Sequence, residues 1–232
     1  AGDSIELERF DDYFEGPAAL KYVTFRFITE NTPRAIALET GEVDLIYDVG
    51  PDDFPGLQGN SDLVALQTDG LTTFYLGFNM AKKPFDDVRV RQAINLALDV
   101  ELATEVAFKG YATAAKGPLS PNVQFAKTDL PGYEYNVEKA KALLADAGYA
   151  NGFKTTIWTN DNPVRVKYAE MFQEQLAQVG IEVGIEIMEF APYLERTALG
   201  EHDMFMLGWV AVTGDSDYGL YSLFHSSQFG DA

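Results

Sequence analysis

Residues 72 to 99 constrain the fold more than any other stretch. Thr72-Thr73-Phe74-Tyr75-Leu76-Gly77-Phe78-Asn79 is a β-branched and aromatic run of strand length. It leads through Pro84 into a helix with a marked start. Asp86 or Asp87 supplies a cap for free amide groups, and acidic residues there suit the positive end of the helix dipole. Val90, Ala93, Ile94, Ala97 and Leu98 then recur at i, i+3, i+4, i+7 and i+8, a single apolar stripe on the helical period. The pattern predicts a buried strand followed by an amphipathic helix, which is expected to continue through Val106-Ala107-Phe108.

The rest of the chain alternates in the same way. Ile5 to Phe10 alternates as a half-buried strand. Tyr22 to Ile28, a short helix with Pro33 in its first turn and Gly41 at its end, and Val43 to Ile46 predict a β-α-β unit with parallel pairing. A short helix is expected near Asp52 to Leu57, and a strand at Leu63 to Gln67. Gly110 to Pro121 reads as a long connection. Asn136 caps a helix that Gly148 closes; Phe153 to Trp158 is a strand, and Pro163 to Val179 a helix ended by Gly180. Ile181 to Ile187 alternates cleanly. Tyr193 to Leu199 is a short helix, Met204 to Val210 a strand apolar throughout, and Tyr218 to Phe224 a final helix. This order predicts an α/β fold with a mixed sheet and flanking helices. No internal repeat, low-complexity tract or interdomain linker is evident.

Four strings carry a family resemblance: "FN-x-x-x-x-PFDDVRVRQAINLALD" at 78–99, "TGEVDL" at 40–45, a "G-x-A-x-x-A-x-G-P-x-x-P" segment at 110–121, and "NVEKAKALLADAGY" at 136–149. The chain resembles the family 5 bacterial extracellular solute-binding proteins, the dipeptide- and oligopeptide-binding subunits of ABC importers. The resemblance implies one lobe of a two-lobed, periplasmic-binding-protein-like fold of class II. Residues 1–232 are then a single α/β lobe, the central portion of a larger protein whose other lobe lies elsewhere. A peptide or small-molecule ligand, a membrane permease partner, a monomer, and a periplasmic or lipoprotein location are implied with it. The opening Ala1-Gly2-Asp3, without Met, reads as an internal cut.

Ligands of open α/β sheets bind beyond strand ends, where loops lead into helices. Two such loops combine an aromatic residue with short polar side chains. One is Thr159-Asn160-Asp161-Asn162. The other holds Trp209, Val212, Thr213, Gly214 and Asp215. The plain alternative for both is ordinary turn chemistry. The resemblance aligns the second loop with the dipeptide receptors, where an Asp three residues after the Trp pairs with the ligand's α-ammonium group. Val212 stands there and forms no such pair; Asp215 or Asp217 substitutes only on a different loop path. The first loop lacks the family's arginine for a ligand carboxylate, although Arg165 is near. Both departures point away from dipeptides. Phe190, within "MEF", falls at an aromatic pocket position of the family or is a core residue. Asn79 reaches the cleft or caps the strand end. Relatives outside the peptide receptors take oligosaccharides, opines or metal chelates, which keeps a non-peptide solute open.

Composition narrows the classes further. The net charge of −19 opposes nucleic acid and anionic membrane surfaces as partners. No cysteine is present, which excludes disulfides and thiolate chemistry. No metal or nucleophile motif occurs, and Asp215-Ser216-Asp217 fails as a calcium loop because Leu220 and Ser226 stand at the required Gly and Glu positions. No cofactor is expected. Glycoside hydrolysis is the one enzymatic reading left, since it needs only two carboxylates roughly 5–9.5 Å apart.

Overall fold

The structure, a computed structural model, describes residues 2–228. Its backbone contacts divide into two compact units, with the division between Gln67 and Thr68.

In the first unit, β1 (Ser4–Glu8) and β2 (Tyr22–Arg26) pair antiparallel, with Ile5 opposite Phe25 and Leu7 opposite Val23. The alternation of β1 therefore places its apolar side chains on the same face as those of β2. Two helices follow, α1 (Asn31–Glu39) and α2 (Phe54–Gln58). Gly41 closes α1 at φ +74°, the left-handed conformation read from the sequence. The expected strand at Val43 to Ile46, and with it the parallel β-α-β unit, does not form. The amides of Glu42 and Val43 both turn back onto the Ala37 carbonyl, at 2.8 and 3.2 Å. Satisfying the helix end in this way takes the first donor that a ladder would need. The strand expected at Leu63 to Gln67 is also absent. Asn60 holds the Asp62 amide through its side chain and the Leu63 amide through its carbonyl, and Val64 and Leu66 beyond that turn are exposed.

The second unit carries a four-stranded mixed sheet: β3 (Thr72–Phe78), β4 (Lys154–Asn160), β5 (Glu182–Met188) and β6 (Met204–Val210). The order across the sheet is β3-β6-β4-β5. β3 runs antiparallel to β6 over seven residue pairs, whereas β4 is parallel to both β5 and β6. Between β3 and β4 lie α3 (Val88–Ala97), α4 (Val100–Phe108) and α5 (Val137–Asp146). The later strands are connected by α6 (Pro163–Ala177) and α7 (Phe190–Ala198), and α8 (Ser216–Phe224) follows β6.

The caps behave as the residues dictate. Asp87 accepts from the Arg89 amide, Asn136 from Lys139, and Asn162 from Val164 and Arg165. The Asp87 carboxyl is held down to about 2, first by the hydrogen bonds from Arg89. The stripe of α3 is buried as expected: Val90, Ala93, Ile94 and Ala97 are fully enclosed. They join Leu144 of α5, Ile157 of β4 and Leu176 of α6 in one core. Alternation turns Trp158 to the other side of the sheet from Ile157, where the Arg196 guanidinium of α7 lies 4.4 Å from its ring centroid. Opposite crossover directions from β4 to β5 and from β5 to β6 account for α6 and α7 lying on opposite faces.

One helix was expected to run from Asp87 to Phe108; there are two. Leu98 is extended (φ −100°, ψ 118°), and Asp99 caps a new helix by accepting from the Leu102 amide. The buried Gln175 of α6 accepts from the Asp99 amide at 2.8 Å, so the break is held from outside the helix. α7 also begins earlier than expected, at Phe190.

Truncating Ile94 to Ala is expected to destabilise the intact protein by about 2–5 kcal/mol, because it leaves a cavity in this core. Asn136→Ala removes one cap and is expected to cost about 1 kcal/mol. Chemical denaturation of the two variants checks both values.

A pH dependence follows from His202. The ring is buried edge-on against Phe205, and its Nδ1 has no partner among the described residues. Burial lowers its pKa, and the nearby Lys82 ammonium lowers it further. The unfolded chain therefore binds a proton more readily than the folded one. Its contribution to stability is complete above about pH 6.5, the ordinary histidine value, and is lost as pH falls towards the depressed folded value. The denaturation midpoint of His202→Gln is expected to fall less than that of the wild type between pH 7 and 5.5.

Candidate functional site

The parallel strands β4, β5 and β6 bring their carboxyl ends to one edge of the sheet. β4 leads there into α6 on one face and β5 into α7 on the other, a divergence that opens a crevice at such an edge. β4 and β6 pair only at Ile157–Met204 and Trp158–Phe205, so they part beyond that point. The Tyr193 hydroxyl of α7 donates to the freed Met206 carbonyl at 2.7 Å.

Arg165 occupies the centre of this edge. It lies in the first turn of α6, three residues after the capping Asn162. One guanidinium nitrogen donates to Asn160 Oδ1 at 2.7 Å, and the guanidinium carbon lies 5.4 Å from the Phe74 ring centroid. Its Nε is buried with no hydrogen-bond partner, and no carboxylate pairs with it among the described residues. Burial pulls its pKa down; the neighbouring Tyr193 and Tyr75 oppose that shift. Both tyrosines are raised, by burial first, so they stay neutral donors beside the cation. Gly208 of β6 makes room for this cluster: a Cβ there would lie 2.9 Å from the Phe74 ring and 3.3 Å from an Arg165 nitrogen.

The second loop lies at the same edge. Trp209, the sixth residue of β6, lies against Tyr218 of α8 with centroids 5.3 Å apart and rings tilted by 32°, and its Nε1 is buried without a partner among the described residues. Gly214 adopts φ +71° and its amide returns to the Ala211 carbonyl, a turn that needs the left-handed conformation. Thr213 Oγ1 accepts from the Asp215 amide. Asp215 Oδ1 accepts from the Asp217 amide and caps α8. Val212 is 68% exposed, with no charge of its own to offer. Asp217 lies in the first turn of α8.

The structure brings most of the expected residues together and separates one. Asn160 is the buried last residue of β4 rather than part of a loop. Phe190 opens α7 just beyond the carboxyl end of β5 and is 49% exposed. Asn79 lies at the opposite edge of the sheet, because β3 is antiparallel to β6. Its Nδ2 donates to the Gly200 and His202 carbonyls, and its Oδ1 accepts from Ala81, so it ties a strand end to a loop. Arg165, Tyr75 and Tyr193 were not among the expected site residues. A signal for Arg165 was available: a cation in the first turn of a helix opposes the helix dipole, which favours anions there.

Comparison with known proteins identifies the family. Residues 1–231 match the family described as "Bacterial extracellular solute-binding proteins, family 5 Middle". The glutathione-binding protein GsiB of Pectobacterium atrosepticum is 35% identical over 237 residues, which cover 99% of this chain and 46% of the relative. Heme-binding protein A of Haemophilus influenzae is 34% identical, over 99% of this chain and 43% of the relative. Among solved structures, the periplasmic binding protein DppA of Helicobacter pylori, in complex with the peptide STSA, superposes with a TM-score of 0.90 at 38% identity, covering 98% of this chain and 46% of that one. The chain thus spans about half the length of the curated relatives it matches. It belongs to the bacterial extracellular solute-binding proteins of family 5, matching the region that the family description names as the middle.

Proposed function

We propose that the whole protein is the substrate-binding component of an ABC importer. It captures a peptide or peptide-like solute in a cleft between two lobes and delivers it to a membrane permease. Residues 1–232 supply the central part of one lobe, and the protein acts as a monomer in the periplasm or as a surface lipoprotein. Family membership supports binding rather than catalysis. No helix among the described residues is long and apolar enough to cross a membrane.

The half-buried Arg165 at the carboxyl edge, paired with no carboxylate among the described residues, carries the choice of ligand chemistry. A partly desolvated guanidinium beside neutral hydroxyls recognises a carboxylate with two parallel hydrogen bonds. Trp209, Phe190 and the Thr213–Gly214 turn offer apolar surface and short polar groups for the body of the solute. Relatives named for glutathione, and a neighbour holding a tetrapeptide, have ligands with carboxylates of this kind. Val212 favours a peptide whose α-ammonium group is not read at that position. A second reading, a non-peptide solute such as a metal chelate, is favoured by the heme-binding relative.

Two predictions test the site in the full-length protein by calorimetric titration with glutathione, STSA and dipeptides. Arg165→Met is expected to weaken a carboxylate ligand by about tenfold or more while leaving the melting temperature level or raised, because it removes a desolvated charge with no ionic partner. Unchanged affinity would remove Arg165 from the site. Val212→Asp is expected to strengthen dipeptides with a free amino terminus over their N-acetylated forms by about tenfold, the scale of a charge-assisted hydrogen bond. Equal response of the free and acetylated forms would refute the assignment of that position.

A further inference from the structure

Phe125 is held in a conformation that its side chain disfavours, and nothing in the described chain covers it. Its φ is +66°, in the left-handed region. Ala126 donates to the Val123 carbonyl at 3.1 Å, closing a turn whose third residue is Phe125. Glycine or asparagine normally takes that place, since a Cβ there costs about 1–2 kcal/mol. The chain uses glycine at nine other positive-φ positions among the described residues. The two further exceptions are Asp48, of a type that tolerates the region, and Lys109, which ends α4. Phe125 is the aromatic exception, and it is 77% exposed. Its placement therefore carries both backbone strain and an exposed ring, with no packing in the described chain to offset either.

The turn is nonetheless firmly placed. Val123 is buried. The Gln124 amide donates to the Gly214 carbonyl at 2.8 Å, and Gln124 forms a parallel bridge with Asp215. Ser120 Oγ donates to the Gly70 carbonyl at 2.8 Å, fixing the same connection to the segment that enters β3. Phe125 thus stands immediately beside the Thr213–Asp215 turn, at the edge that carries Trp209 and Arg165. Strain retained at a fixed position next to a binding edge is characteristic of residues kept for contact rather than for folding.

We propose that Phe125 is a ligand-contacting residue, an aromatic wall that packs on the apolar or amide-plane portion of the bound peptide-like solute. The proposal rests on the reading given under Proposed function. It places the connection between α4 and α5 among the elements that set specificity, although that connection has no regular structure.

Substitution by glycine separates the two roles, because it relieves the backbone while deleting the ring. In the full-length protein, Phe125→Gly is expected to weaken glutathione or STSA by about tenfold or more, with a ligand-free melting temperature equal to or above that of the wild type. Phe125→Tyr is expected to keep wild-type affinity within about threefold, since it retains the ring. Wild-type affinity in the glycine variant would overturn the proposal. So would a clear fall in its ligand-free melting temperature, which would mean that the ring packs inside the whole protein. Failure of the wild type to bind any of the peptides would overturn the peptide reading itself, and this inference with it, before any variant is compared.

Discussion

The pairing of β6 governs what the second unit presents. On one side it is zipped to β3 along its full length; on the other it meets β4 at only two residue pairs. The parallel ladder sends the ends of β4, β5 and β6 to one edge, and its early end leaves a Met206 carbonyl free there. A buried carbonyl needs a donor, and Tyr193 supplies it. That bond seats α7 against the sheet, and the same divergence admits Arg165 from α6. The arrangement of the candidate site is thus a consequence of where one ladder stops.

Electrostatics gives the site its character. The chain is strongly acidic overall, yet the charge placed at the centre of the carboxyl edge is a cation that pairs with no carboxylate among the described residues. Burial raises its free energy, and the hydrogen bond to Asn160 relieves that only in part. An anionic ligand group would relieve more. The acidic surface repels free anions at long range, whereas a peptide-like solute also brings apolar and amide surface for Trp209 and its neighbours. The proposed site would therefore favour ligands that combine a carboxylate with a body, over simple anions.

Local elements were legible because their signals are local. Asp87, Asn136 and Asn162 cap helices through their own side chains, and Gly41, Gly148 and Gly180 end helices in the left-handed conformation, needing nothing distant. The stripe of α3 reports burial directly, and the apolar alternation of β5 does so at Val183. Elements that depend on a distant partner were misread. Val43 to Ile46 and Leu63 to Gln67 have strand-like composition, but the amide that opens each turns back, Val43 on Ala37 and Leu63 on Asn60. The stripe of α3 runs on past Leu98, while Gln175, from a helix far along the chain, takes the Asp99 amide and breaks it. The two candidate loops were singled out through their polar and aromatic mixture. Asn79 was grouped with them because strand direction cannot be read from a strand's own residues.

By itself, the sequence determined the alternation of strands and helices, the caps that bound them, the core stripe of α3 and the family-like strings that run along the chain. Each is written in residue type and short-range spacing, which act within a few residues. Tertiary structure alone decided the order β3-β6-β4-β5, the edge on which each strand ends, and the meeting of Arg165 with Asn160, Phe74, Tyr75 and Tyr193. It also decided the left-handed turn that holds Phe125 beside Asp215. These depend on which distant backbone groups find each other, a competition among ladders that no single segment encodes.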